Sequence, residues 1–107
     1  MDAMTRERCE ARAKVLKALA HPTRLFIVDE LGRGTRCVCE LQEMIGADLS
    51  TVSKHLAQLR NAGIVEDEKR GSQVFYSLRA TCVPDFLGCV EKILRENAER
   101  QIACVRR

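Results

Sequence analysis

The stretch from Gly46 to Leu78 constrains the fold of this chain more than any other. Residues 49–62 place Leu49, Val52, Leu56 and Leu59 at intervals of three and four, which predicts a helix with these four on its core side. Gly46 precedes it and Gly63 ends it. Two short strand-like runs follow at once, Ile64–Glu68 and Val74–Leu78. Between them, Lys69-Arg70-Gly71-Ser72 reads as a turn, with glycine where a positive φ is wanted. A helix that feeds directly into a hairpin leaves few architectures open.

The flanking segments narrow them further. Residues 7–20 are helix-like, with Ala13, Leu16, Lys17 and Ala20 at helical spacing. His21-Pro22 breaks that helix, because the residue before proline avoids the helical region, and Pro22 suits the first turn of the next one. Leu25, Val28 and Leu31 continue it to a stop at Gly32 or Gly34. A short helix spans about Val38 to Ile45, and Asp48 or Ser50 can cap the helix after it. The last segment, Val83 to Val105, carries Phe86, Leu87, Val90, Ile93 and Leu94 on one stripe. The order is helix, helix, short helix, helix, hairpin, long helix. That is a winged helix-turn-helix: mainly α with a small β-hairpin, one domain over 1–107, the helix-turn-helix at about 38–62 and the wing at about 64–79. A chain of 107 residues supports one modest core.

Bulk properties exclude more than they select. At 46% hydrophobic and 31% charged the chain is globular rather than disordered. A net charge of +3 is too small to argue for nucleic acid, so the distribution of charge must decide. No apolar run approaches the roughly 20 residues that span a bilayer, and Met1 to Arg12 does not read as a secretory leader. The expectation is a cytoplasmic protein with no membrane partner. In that reducing setting the six cysteines, Cys9, Cys37, Cys39, Cys82, Cys89 and Cys104, read as metal ligands, redox thiols or buried apolar residues rather than a disulfide framework.

On the helix of residues 49–62, Lys54 and Gln58 fall opposite the apolar face, flanked by Ser50, Thr51, Ser53 and Asn61. One cation among small hydroxyls and amides suits the major groove. Lysine can bond guanine, glutamine can pair with adenine, and hydroxyls reach phosphates or base edges. The turn adds Lys69 and Arg70, with Gln73 to assist, over the adjacent backbone. His55 lies at the edge of the core side, for packing or a phosphate contact.

Cys37-Val38-Cys39-Glu40-Leu41 opens the short helix. In a regular helix, thiols two residues apart diverge by about 200°. A helix start or local unwinding is needed to aim both at one soft ion. Arg36, Arg33 and the helix N-terminus favour thiolate, and a thiolate pair prefers As(III), Sb(III), Cd(II) and Pb(II) to hard ions. As disulfide partners for one another, Cys37 and Cys39 are poor at this spacing, so a redox switch would recruit Cys9 or Cys104. A cysteine enzyme needs a base and an orienting group. Only His21 and His55 are available, both have structural explanations, and no glycine loop cradles phosphate, so no enzyme is expected.

These segments together resemble the ArsR/SmtB family of metal(loid)-responsive winged-helix repressors, the arsenic-responsive branch most of all. The resemblance is carried by Leu19-Ala20-His21-Pro22-Thr23-Arg24-Leu25, Cys37-Val38-Cys39-Glu40-Leu41, Ser50-Thr51-Val52-Ser53-Lys54-His55-Leu56, Gly63-Ile64-Val65 and Gly71-Ser72-Gln73-Val74-Phe75-Tyr76. It covers roughly residues 11–79. It implies a homodimer that binds an inverted-repeat operator in double-stranded DNA and leaves when its inducer, As(III) or Sb(III), binds Cys37 and Cys39, with Cd(II), Pb(II) or Zn(II) as other candidates. Where arsenic-responsive members often carry a third cysteine, this chain has Gln42, so Cys9 or Cys104 would supply any third thiol. The zinc pattern of the family's last helix is missing, since Leu87, Ala98 and Gln101 stand where ligands are expected.

Cys82 and Cys89 lie seven apart, about 10.5 Å along a helix. They cannot share an ion within one chain and read as packing residues. The apolar stripe on the last helix needs cover. The reading is two-fold packing of the terminal helices, about 7–20 and 83–105, between two chains. That arrangement sets two reading helices roughly 34 Å apart on one face of DNA. The alternatives are a redox or persulfide-sensing repressor of the same fold and a metal-binding protein that never touches DNA.

Overall fold

The computed structural model describes residues 1–106. Five helices and three short strands follow in the order α1 (Ala3–Leu19), α2 (Pro22–Arg33), β1 (Arg36–Cys37), α3 (Val38–Ile45), α4 (Leu49–Asn61), β2 (Val65–Arg70), β3 (Gln73–Leu78) and α5 (Val83–Val105). Local chemistry fixes most boundaries. Asp2 caps α1, accepting the Thr5 N–H at 2.7 Å, so the helix starts at Ala3 rather than near residue 7. His21 caps α2, its Nδ1 accepting from Thr23 N–H at 3.1 Å, and Pro22 occupies the first turn. Gly34, not Gly32, follows the last residue of α2. Gly46 ends α3 at φ 76°, a left-handed conformation that glycine adopts without strain. Asp48, not Ser50, caps α4.

The strands form an antiparallel sheet in the order β1-β3-β2. The predicted hairpin is there, but its strands reach further than the sequence suggests. Lys69 and Arg70 belong to β2, Gln73 begins β3, and the turn is only Gly71-Ser72. The third strand is new. Arg36 and Cys37 pair with Tyr76 and Phe75, which ties the start of α3 to the wing.

The core lies where α2, α3 and α4 meet the base of the sheet. Ile27, Leu41, Leu56, Leu59 and Ile64 are fully buried, each contributing about 1.5–3 kcal/mol through burial. Leu49 is an exception to the sequence reading: it is 52% exposed, not part of the core face. At the first position of α4 it lines an open cavity together with Gln73 and Val74 of the wing. The helix α5 joins the core only near its start, through Val83 and the half-buried Leu87. Phe86, Ile93, Leu94 and Ile102 remain exposed along it. Among the described residues no helix is long and apolar enough to cross a membrane.

Candidate nucleic-acid interface and its thiol site

Helix α4 turns Val52, Leu56 and Leu59 into the core and Ser50, Thr51, Ser53, Lys54 and Gln58 outward. The start of this exposed face is tightly ordered. Asp48 accepts the Thr51 N–H at 3.3 Å and the Ser50 hydroxyl at 2.8 Å. The Thr51 side chain first, then the Ser50 hydroxyl and, to a lesser degree, the Thr51 N–H, hold the Asp48 carboxyl below the usual carboxylate range. On the wing, Lys69 is exposed. Arg70 donates to Glu68 at 3.1 Å and lies 4.8 Å over the Phe75 ring. The wing therefore presents Arg70 as a positioned guanidinium, stacked on an aromatic face and partly neutralised by its neighbour.

His55, on the edge of α4, is fixed from α2. Its Nδ1 accepts from Arg24 Nε at 3.1 Å, and its ring centroid lies 4.3 Å from that of His21. Burial holds its pKa below the ordinary 6.5, and the charges of His21 and Arg24 push in the same direction. An imidazole accepting at Nδ1 is neutral, with its proton on Nε2.

The two thiols of the Cys-Val-Cys run come together at the start of α3. Cys37 is the N-cap residue, with extended backbone at φ −78° and ψ 157°, whereas Cys39 is already inside the helix. This break in conformation cancels the divergence a regular helix imposes. The sulfurs of Cys37 and Cys39 are joined as a disulfide, with Cα atoms 5.4 Å apart. The expectation that the pair is a poor disulfide at this spacing is thereby corrected, for it holds only when both residues are helical. Cys37 is buried and Cys39 exposed. The Cys37 sulfur also accepts the Glu40 N–H at 3.4 Å, while Glu40 Oε1 accepts the Cys37 N–H at 3.3 Å, a reciprocal capping box.

The expected support from arginine is weaker than the sequence suggests. Arg36 lies 3.8 Å from Glu30 and 3.5 Å from Glu40, and Arg33 lies 3.3 Å from Glu30, so carboxylates already balance both cations. The remaining cysteines do not converge on the pair. Cys9, Cys82, Cys89 and Cys104 are all free and exposed. The packing role read for Cys82 and Cys89 is therefore not met within the chain: both are exposed, Cys82 at the N-cap position of α5 beside the buried Val83, and Cys89 on α5 itself. Among the described residues no three His, Cys, Asp or Glu side chains gather as a metal-binding group.

A cavity of about 390 Å³ opens beside the pair. Its walls include Cys37 and Cys39, Gln42 of α3, Leu49 and Ser53 of α4, and Gln73 of β3. The thiol site, the exposed start of α4 and the wing thus share one space. Sequence reasoning names Ser53, Gln73 and both cysteines separately. It misses Leu49 and strand β1, and no local signal marks a two-residue strand.

Comparison with known proteins agrees with this architecture. Residues 21–67 match the model of the bacterial regulatory protein, arsR family. The chain is 44% identical over 79 residues to the biofilm growth-associated repressor of Xylella fastidiosa (strain Temecula1), covering 70% of this chain and 69% of that one. It is 43% identical over 67 residues to a cadmium resistance transcriptional regulatory protein CadC homolog from Staphylococcus aureus, covering 62% of this chain and 55% of that one. Its fold is similar to the homodimeric winged helix-turn-helix DNA-binding domain of Mb0332 from Mycobacterium bovis, with a TM-score of 0.78 at 29% identity, covering 94% of this chain and 93% of that one.

Proposed function

This chain belongs to the ArsR family of bacterial regulatory proteins, and from that premise we propose that it is a homodimeric transcriptional repressor whose hold on operator DNA is released at the Cys37–Cys39 pair. The observation that carries the reading is the shared cavity: Cys37 and Cys39 line one space with Ser53 of α4 and Gln73 of the wing. In this account α4 enters the major groove. Ser50, Thr51, Ser53, Lys54 and Gln58 face the DNA, and Lys69 and Arg70 of the wing lie along the flanking backbone. The exposed stripe of α5 packs on that of a second chain, so that two α4 helices meet one operator.

Once reduced, the pair offers two adjacent thiolates to a thiophilic ion, As(III) or Sb(III) before Cd(II), Pb(II) or Zn(II). Cys9 or Cys104 would complete the site only from a partner chain or by movement of a terminus. Ligation would engage the same Cys37 sulfur that accepts the Glu40 N–H. It also pulls on a residue whose backbone is paired with Phe75 of the wing. Such coupling is typically about 1–3 kcal/mol, and DNA must weaken ion binding by the same factor.

A second reading has its own support, since Cys37 and Cys39 are joined through sulfur. Two thiols and one hydrogen peroxide give this disulfide and two waters, so an oxidant could set the same switch. The test is DNA binding by reduced protein under anaerobic conditions. Release by arsenite with no oxidant present supports the ion reading. Release by peroxide alone, reversed by dithiothreitol, supports the redox one. Failure to bind the promoter duplex at low salt contradicts both.

A further inference from the structure

A second cavity, of about 370 Å³, meets the C-terminal end of α4, whereas the thiol cavity meets its start. It is lined by Lys14 and Lys17 of α1, Arg24 of α2, and Gln58 and Asn61 of α4, with alanines between them. Three cations and two amides meet there, and no carboxylate is among the lining residues. Among the described residues, none of the three cations is in an ion pair, whereas Arg33, Arg36, Arg60 and Arg70 all are.

Arg24 is aimed rather than loose. Its Nε donates to His55 Nδ1 at 3.1 Å and its Nη1 to the Ala18 carbonyl at 3.3 Å. Two of its five N–H donors are used, and the guanidinium plane is fixed. Lys14 and Lys17 are three apart on α1 and so share one face of that helix. Concentrated positive charge without a balancing acid favours an anion at this point.

We propose that this cavity seats a backbone phosphate of the DNA duplex. The inference rests on the DNA-binding reading above and extends it to α1 and α2. Continuity favours a duplex: Lys54, Gln58 and Asn61 stand at i, i+4 and i+7, one ridge of α4. A duplex read by Lys54 and Gln58 carries its sugar-phosphate edge along that ridge to the cavity mouth. There the fixed Arg24 fork and the two lysines can neutralise it. A contact of this kind positions the protein and carries no sequence information.

The test is the salt dependence of binding, measured by fluorescence anisotropy on the promoter duplex and on an unrelated duplex of equal length. The variants are Lys14→Gln/Lys17→Gln and, as a control with the same charge loss at the far end of α1, Arg6→Gln/Arg8→Gln. Both lysines are exposed, so their replacement leaves the core intact. Each phosphate contact contributes about 0.9 to the slope of log K against log salt. The expected result is a slope shallower by about one in the lysine variant, on both duplexes, with the control unchanged. An unchanged slope overturns the proposal, as does an equal change in the control. So does a lysine variant that loses binding of inorganic phosphate while its DNA slope stays the same, which would make the cavity a site for small anions. If the wild-type protein binds neither duplex, the DNA-binding reading itself falls, and this seat with it.

Discussion

Cys37 and Glu40 cap one another at the start of α3. The sulfur accepts the Glu40 N–H, and the carboxylate accepts the Cys37 N–H. The residue that would sense the inducer is therefore also the residue that ends the free-amide problem of its own helix. If sensing runs through this sulfur, as proposed, one atom serves both the inducer and the helix cap, and a substitution that keeps the cap separates the two roles.

Cys37→Ser keeps an acceptor at the N-cap, and serine is among the preferred residues there. Urea unfolding of the reduced proteins should give Cys37→Ser a stability close to that of wild type. Cys37→Ala should lose about 1 kcal/mol. Equal losses in the two variants would show that the sulfur does not act as a cap.

Glu40→Ala removes the return bond to Cys37 N–H and the 3.5 Å pairing with Arg36. Its cost should again be on the order of 1 kcal/mol. Glu40→Gln retains an amide oxygen for the cap and should recover most of it. The same unfolding experiment distinguishes them.

His55 predicts a direction for pH. Its folded pKa lies below 6.5, so in the acid range the unfolded chain takes up its proton first. The contribution is fully present above the unfolded value and declines as pH falls through 6.5 toward the folded value. Below the folded value the loss is complete. His55→Asn, which can keep an acceptor for Arg24, should flatten this part of the stability profile. A profile identical to wild type would show that His55 does not carry the dependence.

Ile93 and Leu94 are 51% and 57% exposed, too apolar a pair for a solvent face at the middle of a long helix. Ile93→Glu/Leu94→Glu should leave far-UV circular dichroism unchanged. Sedimentation should show it shifted from dimer to monomer, with weakened binding to a two-half-site duplex. A variant that stays dimeric would place the interface elsewhere.

Much of this was legible in the sequence because the signals are local. Pro22, Gly46, Gly63 and Gly71 punctuate the chain, and the 3–4 spacing in α4 and α5 gives their faces. What was not legible depends on neighbours distant in sequence. Strand β1 exists only because Tyr76 and Phe75 pair with Arg36 and Cys37. Leu49 fits the apolar period but lines the open cavity between α4 and the wing instead of the core. The acids that balance Arg36 come from Glu30 and Glu40 on two helices. The convergence of the two sulfurs at a helix start was legible, with Cys37 outside the helix; that they join as a disulfide was not, because the spacing reads as a poor disulfide when both residues are taken as helical.

The most direct measurement is release from promoter DNA, followed by anisotropy as arsenite is added to reduced, oxygen-free protein, for wild type, Cys37→Ser and Cys39→Ser. The account predicts that wild type dissociates, while both variants bind the duplex with near wild-type affinity and stay bound. Variants released as readily as wild type would contradict it and move the switch away from Cys37 and Cys39.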